Sequence, residues 1–304
     1  MHITHILSAT PLSVSFEFFP PRSEEGAEQL FQVVRELESV RPSFVSMTYG
    51  AGGTTRELTH ALVVRIKQTT SLEAIPHLTC VSHSEAEIAD ILSRYAQAGI
   101  DNVLALGGDP PKHIPSYDRQ HDAFKHASDL IDFIVRFNRE GRHPNVSGFG
   151  IGVAGFPEGH PATPNRLLEV DHLKRKVDAG ADYIVTQLFF NNHDYFDFCE
   201  RCELAGIKLP ILAGIMPITT VAGMRRMADL AAGARFPAAL LRAIHAAGDD
   251  ADRVRDVGIE WSTRQCADLV AQRARGIHFY TLNKSRATLQ VCRDLGFAGN
   301  APVS

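Results

Sequence analysis

Short apolar or alternating runs and longer amphipathic stretches take turns along the whole chain, the pattern of strands followed by helices. The strand candidates are Ser13–Phe19, Phe44–Tyr49, Ala74–Cys80, Asn102–Leu106, Ser147–Ala154, Tyr183–Phe189, Pro210–Ile215 and Ile277–Thr281. Between them, Arg56–Lys67 places Leu58, Ala61, Leu62, Arg65 and Ile66 at helical spacing. Asn165–Ala179 does the same with Leu168, Val170, Leu173 and Val177. Gly-containing turns at Gly99, Gly180 and Gly206 close helices into the next strand. Eight such units in 304 residues predict an α/β fold, a (β/α)8 TIM barrel spanning 1–304 as a single domain. A doubly wound sheet is the runner-up, but its dinucleotide fingerprint is absent. The spacing breaks once: Ile215 to Ile277 leaves room for two or three extra helices before the last strand.

The first strand holds a glutamate among apolar residues, in Ser13-Val14-Ser15-Phe16-Glu17-Phe18-Phe19, and Pro20-Pro21 ends it. Alternation puts Ser15, Glu17 and Phe19 on one face and Val14, Phe16 and Phe18 on the other. Desolvation there is expected to raise the Glu17 pKa from about 4.3 toward about 6.5–7, which suits a general acid near neutral pH. A buried Glu held by an Arg or by backbone donors is the bland alternative.

Composition narrows the classes. The chain is 44% apolar and 22% charged, with a net charge of −4 and no cationic run longer than Lys174-Arg175-Lys176, which argues against nucleic acid. Met1–Thr10 has no signal-peptide pattern, and no apolar run approaches the roughly 18 residues of a membrane span. Five cysteines do not make a disulfide framework, so a reducing cytoplasm is expected. No metal is expected: Cys199-Glu200-Arg201-Cys202 is a lone C-x-x-C inside a helix, and no H-x-x-x-H occurs. Serine-hydrolase and P-loop motifs are absent too.

A barrel works at the carboxyl ends of its strands. Those ends carry Glu17, Thr48-Tyr49-Gly50, His77-Leu78-Thr79-Cys80, Leu106-Gly107-Gly108-Asp109, Phe156-Pro157-Glu158-Gly159-His160, Gln187, Met216-Pro217 and Tyr280-Thr281-Leu282-Asn283. Gly107-Gly108-Asp109 lets backbone approach a flat ligand with a carboxylate beside it, or is simply a turn. The glycines at 148, 150, 152 and 155 make room for something broad or relieve packing. Glu169, His172, Arg175 and Lys176 form a stripe that could hold a ribose and a diphosphate, or could be a solvated face.

Together these segments resemble the methylenetetrahydrofolate reductase family, from about Val14 to Leu295. The resemblance rests on S-F-E-F-F-P-P-R, V-S-M-T-Y-G-A, P-H-L-T-C, A-L-G-G-D-P-P, G-F-P-E-G-H-P, L-K-R-K-V-D-A-G-A-D, T-Q-L-F-F and H-F-Y-T-L-N, in that order. It implies reduction of 5,10-methylenetetrahydrofolate to 5-methyltetrahydrofolate, feeding methionine synthesis. It further implies non-covalent FAD, NADH or NADPH as donor, and a homo-oligomer. By resemblance Glu17 is the general acid and Asp109 the carboxylate beside flavin and pterin. Gln187 contacts nicotinamide and folate. Thr48, Tyr49, His77, Leu106, Gly108, Phe156 and His160 line the flavin. Glu169, His172, Arg175 and Lys176 hold its ribose and diphosphate. Met227, Tyr280 and Lys284 belong to the substrate side. Three positions depart from the pattern: Gly107 stands where many members carry Arg, Phe156 where relatives carry Tyr, and Met227 where some carry a stacking aromatic. The regulatory domain that eukaryotic members add after the barrel is not expected here. A barrel lyase or aldolase would want a Schiff-base lysine or a metal cluster at a strand end, and neither is evident. A non-redox pterin-binding or methyl-carrier barrel is the binding-protein alternative.

Overall fold

The computed structural model describes residues 1–50, 55–111, 116–231 and 233–297. Its elements run α1 (Ile3–Ala9), β1 (Ser13–Phe18), α2 (Glu24–Glu38), β2 (Phe44–Met47), α3 (Arg56–Thr69), β3 (Ala74–Thr79), α4 (Glu85–Gln97) and β4 (Asn102–Leu106). Then come α5 (Ala127–Arg139), β5 (Gly150–Gly155), α6 (Arg166–Asp178), β6 (Tyr183–Thr186), α7 (Asn192–Leu204) and β7 (Ile211–Ile215). The chain closes with α8 (Val221–Leu230), α9 (Ala238–Ala247), α10 (Ala251–Ala271), β8 (Gly276–Tyr280) and α11 (Arg286–Asp294). Eight strands form a closed parallel barrel in chain order, with β8 pairing β1. This is the (β/α)8 fold that the alternation predicts. The three helices α8–α10 occupy the interval expected to hold two or three.

The two faces of β1 separate as alternation requires. Phe16 and Phe18 pack outward into the core between barrel and helices, while Ser15 is buried on the inner side against His278 of β8. The lower interior is apolar: Phe44, Ile75, Leu104, Tyr183 and Leu212 meet Ile3, Ile6 and Leu7 of α1, which plugs the amino-terminal end. That helix is not expected from Met1–Thr10. Its docking leaves the polar interior side chains to the opposite end. The glycines of β5 serve packing here, since a Cβ at Gly152 would stand 2.4 Å from Tyr183 Cζ and 2.6 Å from Leu104 Cδ1.

Two strand boundaries differ from expectation by three residues, each for a visible reason, and the others differ by at most two. Strand β5 starts at Gly150 rather than Ser147 because the Asn138 amide takes both Phe149 backbone groups, at 2.8 and 2.9 Å. Strand β6 stops at Thr186 rather than Phe189. Beyond it the Phe189 and Phe190 carbonyls accept from Gln265 Nε2 and Trp261 Nε1 of α10, and Gln187 Oε1 accepts from Leu188 N–H. The extra helices therefore brace the loop that carries Gln187.

Candidate active site

Glu17 stands at the carboxyl end of β1, with Ser46 of β2 and Tyr280 of β8 beside it in register. His77 Nε2 of β3 lies 3.2 Å from Glu17 Oε2, and His278 Nε2 of β8 lies 3.4 Å from the same oxygen. His278 Nδ1 is 2.8 Å from Ser15 Oγ, so serine, imidazole and carboxylate form a continuous polar row inside the barrel. His77 Nε2, Ser46 Oγ and Thr79 Oγ1 are buried and make no aligned hydrogen bond, which leaves polar atoms available around the carboxylate.

The acidity of Glu17 runs opposite to expectation. Burial is the largest single influence and pushes the pKa up, but the charges and hydrogen bonds of His77 and His278 together outweigh it. The result is a carboxyl lowered to about 2. Desolvation acts in the expected direction, and the imidazoles that reverse it come from strands distant in sequence. Glu17 is therefore not a raised-pKa acid in this arrangement.

The loop after β4 brings Gly107, Gly108 and an exposed Asp109 to the same end. Gly108 adopts φ +75°, and a Cβ there would meet Val81 Cγ1 at 2.7 Å and Thr79 Cβ at 2.8 Å, so glycine is required. Half-buried Thr48 and Leu106 also lie at this end. Tyr49 is buried, its hydroxyl 3.2 Å from His83 Nε2, and burial pushes its pKa up to about 12. Ala51 of the V-S-M-T-Y-G-A motif lies outside the described residues.

Across the mouth, the Tyr280 hydroxyl donates to the Thr186 carbonyl at 2.6 Å, and its ring meets His278 edge-on at 5.4 Å. Burial first, and the Glu17 charge second, raise the pKa of this phenol, so it stays a donor. Gln187 is half-buried and Lys284 exposed. Met227, on α8, is buried among Leu188, Phe190, Met216 and Ile218, and does not present an open face to the mouth.

A cleft of about 270 Å³ beside β5 gathers Phe156, His160, Glu169, His172, Arg175 and Lys176. It does not include Thr48, Tyr49, His77, Leu106, Gly108 or Asp109, which lie toward β2–β4. Lys176 Nζ donates to the Ala154 carbonyl at 2.6 Å, and burial lowers its pKa to about 8 despite the nearby Glu169 charge. Glu169 is buried and already engaged, accepting from His160 N–H at 2.8 Å and Arg166 Nη1 at 3.3 Å. It shapes the loop that forms the cleft wall. His126, Ala127 and Ser128 at the start of α5 complete the lining. The helix-start pattern Lys125-His126-Ala127-Ser128-Asp129 is the signal that could have found them.

Among the described residues, no group of three or more His, Cys, Asp or Glu is placed to hold a metal ion. Cys199 and Cys202 of α7 are free, and burial raises both thiols, to about 11 and about 12.

The sequence profile of the family described as methylenetetrahydrofolate reductase matches residues 2–296. The chain belongs to that family. An Escherichia coli 5,10-methylenetetrahydrofolate reductase is 36% identical over 285 residues, covering 94% of this chain and 91% of its own. Methylenetetrahydrofolate reductase (NADH) 1 of Arabidopsis thaliana is 37% identical over 299 residues, covering 95% of this chain and 49% of its own. The chain thus spans about half the length of that plant relative. A solved Clostridium thermocellum protein described as binding two copies of 5-methyl-5,6,7,8-tetrahydrofolic acid shares the fold, with a TM-score of 0.62 at 13% identity over 98% of this chain and 99% of its own. Among reductase-family expectations, the residues around Glu17 and those of the β5 cleft fall into two neighbouring groups at one end of the barrel.

Proposed function

We propose that this chain reduces 5,10-methylenetetrahydrofolate to 5-methyltetrahydrofolate with electrons from NADH or NADPH passed through bound FAD, feeding methionine synthesis. The observation that carries the reading is the Glu17 carboxylate at the barrel mouth, with two imidazole nitrogens at 3.2 and 3.4 Å. Opening the folate's five-membered ring needs a proton at a bridging nitrogen, and this cluster is built to hold and deliver one. His278 can pass a proton between Ser15 Oγ and Glu17 Oε2, because its two ring nitrogens face one each. Exposed Asp109 at the same end is a carboxylate suited to a developing cation.

The β5 cleft fits a dinucleotide's ribose and diphosphate. Arg175 and Lys176 supply charge, and the Lys176 ammonium, desolvated against one backbone carbonyl, gains from an anionic partner. His126 and Ser128 add polar groups at a helix start. When bound there, FAD would supply the two-electron redox chemistry linking nicotinamide and folate. Gln187, with its Oε1 committed to Leu188 N–H, keeps its amide donors for substrate. Tyr280 stiffens the wall beside Glu17, and Lys284 lies on the substrate side.

Residues 1–304 act in this reading as one catalytic barrel domain of a cytoplasmic homo-oligomer whose partners are small molecules, with neither nucleic acid nor membrane among them. Among the described residues no helix is long and apolar enough to cross a membrane. The test is direct. Purified protein should take up about one FAD per chain, show a flavin spectrum, and under anaerobic conditions oxidise NADH or NADPH beyond one equivalent per flavin only when methylenetetrahydrofolate is present. Protein that binds no FAD at micromolar concentration, or leaves the folate unreduced, overturns the proposal.

A further inference from the structure

The turn that presents Asp109 is held by a side chain that has no place in the reaction as described above. Arg119, on a single 3-10 turn formed by Arg119–His121, is half-buried and points back at the end of β4. Its Nη1 donates to the Gly107 carbonyl at 3.2 Å and its Nη2 to the Gly108 carbonyl. The Cys80 thiol donates to the Gly107 carbonyl as well, at 3.2 Å, and burial pushes its pKa up to about 11, so it remains a thiol. A Cβ on Gly107 would come within 3.1 Å of Arg119 Nη1. The guanidinium therefore sits against the bare backbone that the glycine leaves open.

The turn is clamped from both sides, with Thr79 and Val81 against Gly108 and the guanidinium across the two carbonyls. Arg119 is itself anchored. Asp118 caps its 3-10 turn through Gln120 N–H at 2.9 Å, and Asp122, which accepts from the Tyr117 hydroxyl, also accepts from Ser82 N–H at 3.4 Å just after β3. Among the described residues no carboxylate forms an ion pair with Arg119. Both forks of the guanidinium are spent on backbone carbonyls, a use that fixes peptide orientation rather than neutralising charge. The Gly108 carbonyl belongs to the peptide that carries Asp109 N, so holding that oxygen sets where the Asp109 side chain starts.

We propose that Arg119 is the positioning residue of the Asp109 turn, acting on folate reduction only through the placement of the Asp109 carboxylate. The proposal rests on the reading that Asp109 serves that reaction. Arg119→Ala should lower folate-dependent flavin reoxidation by about 100-fold, the scale of a misplacement of about 1 Å. Arg119→Lys keeps the charge but not the fork, and should fall between wild type and Arg119→Ala. In an Asp109→Asn background the same Arg119→Ala change should cost less than about twofold, because its route of action is already gone. Losses that multiply instead would overturn the proposal. Crystal structures of wild type and Arg119→Ala supply a readout independent of turnover: the Asp109 Cα should shift by about 1 Å. An unmoved Asp109 sinks the clamp even if activity drops. Should wild-type protein reduce no folate, the proposed activity fails, while the structural comparison still decides the clamp. If Arg119→Ala does not fold, Arg119→Gln, with one amide and no charge, carries the same expectations.

Discussion

Replacing the two imidazoles that face Glu17 tests what governs its proton. In the folded protein the carboxyl is lowered from 4.5 to about 2, which amounts to about 3 kcal/mol in favour of the carboxylate. Burial, the largest single influence, acts the other way, so the combined pull of His77 and His278 must exceed that figure. Leucine approximates the volume of histidine and offers neither charge nor donor. In His77→Leu/His278→Leu, burial acts alone and Glu17 should titrate above 4.5. Each single variant should give an intermediate value, with His77→Leu rising further because its charge is the greatest lowering influence. The assay is a pH titration of the carboxyl by NMR in protein carrying isotope-labelled glutamate, with Glu17→Gln assigning the resonance. The sign for stability follows from the same shift. A folded pKa below the unfolded one stabilises the protein above about pH 4.5, and that contribution is lost as pH falls through about 2. Wild type and the double variant should therefore converge in stability across that window. A double variant whose Glu17 still titrates near 2 would refute the reasoning and point to backbone donors instead.

Other expectations separate the groups of the site. Glu17→Gln keeps the shape and removes the acid, so nicotinamide-dependent flavin reduction should stay within about tenfold of wild type while folate-dependent reoxidation falls about 10²- to 10⁴-fold, measured by stopped-flow absorbance. Near-normal reoxidation would make Glu17 structural. FAD affinity should be flat below pH about 8 and fall as pH rises through it, because Lys176 loses its proton there in the free protein; Lys176→Met should weaken FAD binding about 10- to 100-fold and flatten that profile in equilibrium titrations. Gly152→Ala should cost about 1–3 kcal/mol by chemical denaturation, since the new methyl collides with the Tyr183 ring, and Gly152→Ala/Tyr183→Leu should recover part of it. A neutral Gly152→Ala would mean that the β5 glycines are not packing sites.

The barrel was legible because its signals are local. Strand and helix periods alternate eight times, and each strand candidate falls on an observed strand to within a few residues. Where boundaries moved, a distant side chain had claimed the backbone: Asn138 took Phe149, and Gln265 with Trp261 took the carbonyls past β6. No period within β5 or β6 encodes that competition. The plug α1 escaped for a related reason. Seven residues give too short a pattern, and Ile3, Ile6 and Leu7 gain meaning only from the Phe44–Tyr183 layer they meet.

The site divides along the same line. Alternation alone placed Glu17 on the inner face, and burial alone predicts a raised pKa, yet the nitrogens that reverse it come from strands 60 and 261 positions away. His77 stands at a strand end and is expected to line the flavin, whereas nothing local to H-F-Y-T-L-N gives His278 a role. Barrel closure makes them neighbours: β8 pairs β1, so His278 stands opposite Ser15 and one step below Glu17. A carboxylate whose charge is set by imidazoles on other strands can also be reset by whatever enters between them. A cationic ring pressed onto the mouth would favour the carboxylate, whereas a neutral pterin that excludes water would favour the acid. In the proposed reaction, ring opening therefore requires that a bound substrate push the Glu17 carboxyl up from its resting value, against the pull of His77 and His278.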